Sequence, residues 1–232
     1  MRAVNSSTTV LFLALGWINA CTPTVWACEP FELTLAPSDH NPTSQLSKNP
    51  SLQQPIDIQH LNYRALIQAI FHSTNQARAN RKRNPVQYHD KLAQTACLHA
   101  QYMAGQGELS HINSQNPKLR TPTDRLRANG FVSSFVSENL AEAQAIQYIT
   151  GQPYYTRIEN SQTIVSHIPN GPPIERHTYL SFTQTLFAEW MKSRGHRRNI
   201  LSKEIRYTGA ACVYAGARQD IDVLYCVQLF AN

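Results

Sequence analysis

The sequence predicts an α+β fold, and the order of its apolar patterns carries that prediction. Apolar residues at helical spacing come first, whereas the alternation typical of strands becomes regular only after residue 207. Strands that alternate with helices, which would indicate a parallel α/β sheet, are not evident. With 232 residues, 42% hydrophobic and 16% charged, the chain is long enough to bury one sizeable core.

The first 28 residues predict an export signal. Arg2 supplies a small positive charge, and the apolar run at 10–20 is too short to span a bilayer. Ala27 before Cys28 suits simple cleavage, which we favour. The alternative is a lipid anchor, since Cys21 and Cys28 each end an imperfect lipobox. We therefore expect a periplasmic or extracellular protein that contacts the membrane only if it is lipid-anchored.

Residues 29–57 predict a linker, because they are rich in Pro, Ser, Asn and Gln and show no period. The folded domain is expected at 58–232. Its first helix is predicted at 60–81 and ends before Asn84-Pro85. The second is predicted at 91–104, with Asp90 as N-cap and Gly105 as C-cap. A short helix is expected at 123–129 and a fourth at 179–193.

Residues 145–177 fit either a β-hairpin or an ordered loop, since aromatic and β-branched residues alternate there with polar ones. Strands are predicted at 207–215 and 223–230, with a turn between them. Cys212 and Cys226 lie in these two strands and could pair across the hairpin, which would leave Cys97 as a free thiol. The alternative is that all three are reduced core cysteines.

The net charge of +6 is concentrated in two basic runs. One contains Arg78, Arg81, Lys82 and Arg83, and the other Lys192, Arg194, Arg197 and Arg198. Such runs usually lie on a solvated face. No nucleic-acid-binding motif accompanies them, so we expect no nucleic-acid partner.

An ordered series of short motifs resembles a known family over residues 60–232. The series is Asn75-Gln76-Ala77-Arg78, the helix carrying His99, Ser110-His111, Arg125 with Gly130, Ser137-Glu138-Asn139-Leu140-Ala141, the run 190–201 (WMKSRGHRRNIL), and Val227-Gln228-Leu229-Phe230. It looks like the CAP superfamily, also called SCP/PR-1-like, in its bacterial form. The resemblance implies an α-β-α sandwich, with a small antiparallel sheet between helical layers and a central cleft. Residues 145–177 form an insertion relative to compact bacterial members, expected beside the cleft entrance.

The resemblance implies that two histidines and two acidic residues line the cleft. The matching positions here are His111, His196 and Glu138, whereas Ser193 stands where many eukaryotic members have the second acid. These three are the catalytic and metal-binding candidates. Two neutral imidazoles can bind Zn²⁺, with Glu138 as a further ligand or as the group that orients a histidine. His99, Trp190, Arg125 and Arg197 are expected to be structural.

The leading functional hypothesis is an exported, non-catalytic, monomeric domain whose cleft takes a divalent metal such as Zn²⁺ or a small or lipid-like ligand. A metal-assisted hydrolase or peptidase using His111, His196 and Glu138 is the second hypothesis, and the serine in place of a carboxylate counts against it. A third is interaction with a cell-envelope component through the basic runs and the insertion.

Overall fold

The computed structural model describes residues 48–149, 151–160 and 162–232, so the predictions for the leader and most of the linker lie outside the described residues. The helices are α1 (Tyr63–Ala79), α2 (Asp90–Gln106), α3 (Pro122–Ala128), α4 (Tyr179–Lys192) and α5 (Arg194–Leu201). The strands are β1 (Gln87–Tyr88), β2 (Val136–Gln144), β3 (Tyr155–Glu159), β4 (Gln162–Ser166), β5 (Tyr207–Arg218) and β6 (Ile221–Ala231). The predicted α+β class is therefore confirmed.

One sheet forms the centre of the domain, with strand order β1-β5-β6-β2. The β2–β6 and β5–β6 pairs are antiparallel, whereas the two-residue β1 joins β5 in parallel. The sheet is thus mixed at one edge rather than wholly antiparallel. Strands β3 and β4 form a separate two-stranded hairpin, which decides between the two readings of residues 145–177.

Helices cover both faces of the sheet, as the sandwich requires. Successive side chains of β5 alternate, because neighbouring residues of a strand point to opposite faces. Cys212 packs in the cluster that contains α1, α4 and α5 residues, whereas Ala211 and Val213 pack in the cluster that contains α2 and α3 residues. The predicted three-layer arrangement is confirmed.

Three local predictions need correction. The N-cap of α2 is His89, whose Nδ1 accepts from the backbone N–H of Lys91, and Asp90 is the first helical residue. The C-cap is Gly107 in the left-handed conformation, φ 69°, with Gly105 inside the helix. No helix is predicted after residue 193, but the structure has one there: α4 ends before Ser193, and α5 begins at Arg194 and contains His196.

The structure joins Cys212 and Cys226, which face each other in register across β5 and β6, in a disulfide. Cys97, which lies in α2, is also disulfide-bonded. Neither the free thiol at Cys97 nor three reduced cysteines describes this protein.

The insertion lies at the end of the sheet away from Glu138. Glu138 is the third residue of β2, and the insertion follows the last, so roughly 20 Å of strand separates them. The hydroxyl of Tyr154 donates to the carbonyl of Gln219 (2.8 Å), and Arg176 lies 3.5 Å from Asp222, which ties the insertion to the β5–β6 turn. The expectation that it lies beside the entrance to the site is wrong.

Core packing begins before residue 58. Leu52, in a 3₁₀ helix at Pro50–Gln53, and Ile56 are fully buried in the cluster around α1 and α4. The last part of the predicted linker segment therefore contributes to the core. Within the described ranges, no helix has the length and apolar character needed to cross a membrane.

Candidate functional site

Glu138 is the centre of the candidate site, and both of its carboxylate oxygens are occupied. Its side chain is only 1% exposed. Arg125 donates from Nη2 to Oε2 at 2.7 Å, and His111 Nδ1 lies 2.8 Å from Oε1. Each partner comes from a different part of the chain: β2 carries Glu138, α3 carries Arg125, and the loop after α2 carries His111.

Arg125 holds this arrangement together. Its side chain is 5% exposed, and its Nη1 also donates to the backbone carbonyls of His111 (3.2 Å), Leu119 (3.3 Å) and Arg120 (3.1 Å). The capping box between Thr121 and Asp124 fixes the start of α3 and therefore the origin of this side chain. Arg125 thus fixes both the carboxylate and the loop that carries His111, which confirms its expected structural role.

His111 presents one ring nitrogen outward. A carboxylate can only accept hydrogen bonds, so Nδ1 of His111 carries the proton that it donates to Glu138. In the neutral ring, Nε2 then holds the lone pair. The side chain of His111 is 52% exposed, so the imidazole has access to solvent. This is the carboxylate–histidine geometry that prepares an imidazole to bind a metal or to take a proton.

His196 faces the same region from α5. Burial lowers the pKa of His196, and the neighbouring charge of His111 lowers it further. The backbone of this segment is held to β2, because Asn139 Nδ2 donates to the His196 carbonyl (3.4 Å). Asn199 Nδ2 in turn donates to the Glu138 carbonyl (3.1 Å) and to Asn139 Oδ1 (2.9 Å).

Asn199 is the positioning residue that sequence reasoning missed. It follows Arg198 in the segment that identifies the family, but an asparagine near a helix end has many uses, and nothing local distinguishes this one. Asn139 likewise satisfies a backbone group, because its amide donates to the His196 carbonyl. Through these two amides, β2 and α5 hold Glu138 and His196 in a fixed relation.

His99, Trp190 and Arg197 have structural roles, because each bonds a backbone carbonyl. Nε2 of His99, a buried residue, lies 2.8 Å from the Ser110 carbonyl, next to His111 in the chain, and burial is the main cause of the lowered pKa of His99. Trp190 is buried in the core and donates from Nε1 to the Leu140 carbonyl (3.1 Å). Arg197 donates from Nη1 to the Met191 carbonyl (2.7 Å) near the end of α4.

The donor set for a metal is small. Among the residues that the structure describes, no three His, Cys, Asp or Glu side chains form a group able to hold a metal ion. Glu138 is held by Arg125 and His111, so His111 Nε2 and His196 are the donors left. Two imidazoles fit a weakly held, exchangeable ion completed by water, and they fall short of the three protein ligands of a catalytic zinc site.

Comparisons with solved structures show similar proteins in several bacteria. An extracellular protein with an SCP domain from Bacillus anthracis str. Ames is 22% identical, with 73% of this chain and 41% of that chain covered and a TM-score of 0.48. An outer surface protein of Borrelia burgdorferi is 14% identical (71% and 90% covered, TM-score 0.46). The CAP domain of enterococcal PrgA is 13% identical (90% and 84% covered, TM-score 0.45).

The chain spans about two-fifths of the length of the Bacillus protein, whose remaining parts have no counterpart in this match. Among curated proteins, none matches this chain. The model of the cysteine-rich secretory protein family matches residues 71–230, which is more than half of the sequence. The match includes α2, the central sheet except the last residue of β6, and His111, Glu138 and His196. With the three-layer fold and the motif series in the order described, the chain belongs to the cysteine-rich secretory protein (CAP) family.

Proposed function

We propose that this protein is an exported, non-catalytic CAP domain that binds an exchangeable divalent metal ion through His111 and His196. The observation that carries the proposal is the occupied carboxylate of Glu138, which is bonded on one oxygen by Arg125 and on the other by His111. Glu138 therefore orients the imidazole of His111 and leaves its Nε2 free to act as a ligand.

The same observation disfavours a metal-assisted hydrolase. A general base must be able to take a proton from water, and Glu138 would have to break a buried ion pair to do so. Ser193 does not replace the second carboxylate, because its hydroxyl carries no negative charge. It lies at the α4–α5 junction, where its backbone N–H donates to the Glu189 carbonyl (3.2 Å). Hydrolysis is accordingly the alternative outcome of the experiments below.

The proposal is tested by titrating the purified protein with zinc. Binding is measured by calorimetry and by competition with a chelating dye. We expect one ion per chain and loss of that binding in His111→Gln, where the amide can still donate to Glu138 but the ring is gone. His196→Ala should have the same effect. Glu138→Gln should weaken binding by roughly 10–100-fold, the usual effect of removing the partner of a liganding histidine.

His60→Ala is the matched control, because this exposed histidine lies 3.0 Å from Asp57 and away from the site. It should bind zinc as the unsubstituted protein does. Zinc binding that is unchanged in the His111→Gln/His196→Ala double variant would refute the proposed site. A peptide and ester panel should show no turnover with or without zinc, and hydrolysis lost in Glu138→Gln would establish the enzyme instead.

Export itself is tested at the mature N-terminus. Mass spectrometry of the protein recovered from its producing cell should show cleavage before Cys28 without a lipid. A diacylglyceryl increment on Cys21 or Cys28 would instead establish the lipid-anchored form. An unprocessed Met1 would contradict export.

A further inference from the structure

The two basic runs of the sequence meet on one face of the folded domain. Arg78 Nη1 donates to the carbonyls of Ile200 and Ser202, at 2.8 Å each, and so ties the end of α1 to the end of α5. The run at the end of α1 and the run that spans the α4–α5 junction are thereby placed side by side. The two runs are separated by more than a hundred residues in the sequence, so only the folded chain brings them together.

Two adjoining depressions lie on this face, with volumes of about 570 Å³ and 540 Å³. Both are lined by Arg83 and Lys203, so they form one continuous surface, which we call the basic groove. Eight basic side chains line it: Arg78, Lys82, Arg83, Arg194, Arg197, Arg198, Lys203 and Arg206. Glu204 is the one acidic side chain among the lining residues.

The protein itself does not balance this charge. Within the described parts of the chain, no carboxylate lies within ion-pair distance of any of these eight side chains. The ends of α1 and α5 supply partial negative charges of only about half a unit each. Those helix ends and Glu204 together offset roughly two of the eight positive charges.

Two of the arginines lie without a carboxylate partner among the described residues, and one of them also has an unpaired donor. Arg78 is buried, its hydrogen bonds go to the backbone carbonyls of Asn84, Ile200 and Ser202, and burial together with the charge of Arg83 lowers its pKa. Nε of Arg83 is buried without a hydrogen-bond partner. A buried donor left unpaired costs free energy, and an anion in the groove would lower that cost for Arg83 and supply a counter-charge to Arg78.

The turn that presents this charge is itself unusual. Lys82 has φ 53°, in the left-handed region, where glycine or asparagine is the common choice after a helix. The turn is closed by the Arg83 N–H, which donates to the Arg78 carbonyl at 2.9 Å. A lysine therefore stands at a strained position at the rim of the groove, and its exposed ammonium adds to the charge there.

We propose that the basic groove binds a linear polyanion whose charges are phosphate groups, spanning both depressions across Arg83 and Lys203. A groove suits an extended chain better than a flat membrane, because its cations line a concave surface. It offers little to nucleobases, because the two aromatic rings among its described lining residues pack against the protein: Tyr207 against His89 and Phe131, and Phe135 against the core cluster around α1 and α4.

Fluorescence anisotropy of the full chain with labelled linear inorganic polyphosphate is the test. We expect binding that weakens steeply as salt increases, since association releases counterions. Arg83→Gln/Lys203→Gln should bind on the order of tenfold more weakly, the factor that two surface charge pairs supply together. It should also show a shallower dependence on salt.

Each depression is tested separately with exposed residues. Lys82→Gln/Arg206→Gln affects the first depression and Arg194→Gln/Arg198→Gln the second, and both should weaken binding if the polymer spans the groove. Lys118→Gln/Arg120→Gln removes the same charge from exposed positions outside the groove and should leave binding nearly unchanged. Circular dichroism checks that each variant is folded.

Other outcomes would overturn the proposal. These are polyphosphate binding that does not depend on salt, equal binding by the groove variants and the Lys118/Arg120 control, or a loss confined to one depression. Tighter binding to a single-stranded oligonucleotide of equal charge would identify nucleic acid as the partner. Tighter binding to phosphatidylglycerol vesicles would identify a membrane. None of these outcomes depends on zinc binding at His111.

Discussion

Arg125 and Glu138 form a buried ion pair in which Nη2 of the guanidinium lies 2.7 Å from Oε2 of the carboxylate. The pair connects α3 to β2, and the same arginine holds the loop that carries His111. Because Glu138 also bonds His111, one carboxylate couples the packing of the domain to the geometry of its candidate site.

Substitution of Arg125 should therefore destabilise the protein strongly. Arg125→Gln leaves a buried carboxylate without its cation, which typically costs about 3–5 kcal/mol. Urea unfolding measures the change. Arg127→Gln is the control in the same helix, because the Arg127 side chain is 66% exposed and its ion pair with Asp124 is long, at 4.0 Å. This substitution should lower the free energy of unfolding by less than about 0.5 kcal/mol. Equal effects of the two substitutions would mean that the ion pair does not stabilise the fold.

Gly209 lies at a close contact between α2 and β5 that leaves no room for a side chain. A Cβ at this position of β5 would lie 2.2 Å from the backbone nitrogen of Ala93 and 2.6 Å from the carbonyl carbon of Leu92. Helix α2 therefore packs directly on the strand backbone, and Gly209→Ala should destabilise the protein by about 1–3 kcal/mol or more.

Gly105→Ala is the contrasting substitution. Nothing lies within 4 Å of a Cβ at this position, and the residue is helical, so alanine should stabilise the protein by roughly 0.5–1 kcal/mol. Thermal unfolding of both variants measures the opposite signs. A Gly209→Ala variant as stable as the unsubstituted protein would show that α2 and β5 are farther apart than described.

The Cys212–Cys226 disulfide closes a short loop, with a sequence separation of 14. Cross-linking a loop of this size constrains the unfolded chain and contributes about 3 kcal/mol in the chain-entropy account. Cys212→Ala/Cys226→Ala should lose roughly that amount in urea unfolding, while Cys97 is left unchanged. Alkylation of the denatured, unreduced protein should label neither cysteine, and labelling of both would contradict the bond.

His177 predicts a pH dependence of stability. Burial lowers the pKa of His177 below its ordinary value of 6.5, and its Nδ1 lies 2.9 Å from Ser181 Oγ. Between the two pKa values the unfolded chain binds more protons, so the free energy of unfolding rises with pH. The stability that neutral His177 contributes is complete above about pH 6.5, its pKa in the unfolded chain. It is lost as the pH falls towards the lowered pKa of His177 in the folded protein.

Comparison with His177→Gln isolates this effect. The glutamine does not titrate, so the stability of the protein relative to the variant should fall as the solution is acidified from pH 7 to pH 5, by at most about 1.4 kcal/mol per pH unit. Urea unfolding at several pH values measures it. Parallel pH profiles would show that His177 titrates alike in both states.

Elements defined by local pattern were predictable from the sequence. Apolar residues at helical spacing, such as Leu66, Ile70 and Phe71, place α1 close to its observed bounds, because one buried face requires that period. The alternation in the last strands predicts β5 and β6 for the same kind of reason. Helix α5 was missed, since its polar composition and Gly195 resemble a turn, and only packing of Ile200 against α1 and α4 residues shows it as a helix.

The sequence by itself determined the family, the layered α+β fold and the identity of His111, Glu138 and His196 as candidates. The tertiary structure decided what each of them can do. Glu138 and Arg125 are 13 positions apart, and Glu138 and His111 are 27 apart, so their contact depends on how α3, β2 and a loop dock. The meeting of the two basic runs depends in the same way on Arg78 and the α5 carbonyls, 122 positions distant. Local propensity cannot encode such contacts, because their free energy comes from groups that only the folded chain brings together.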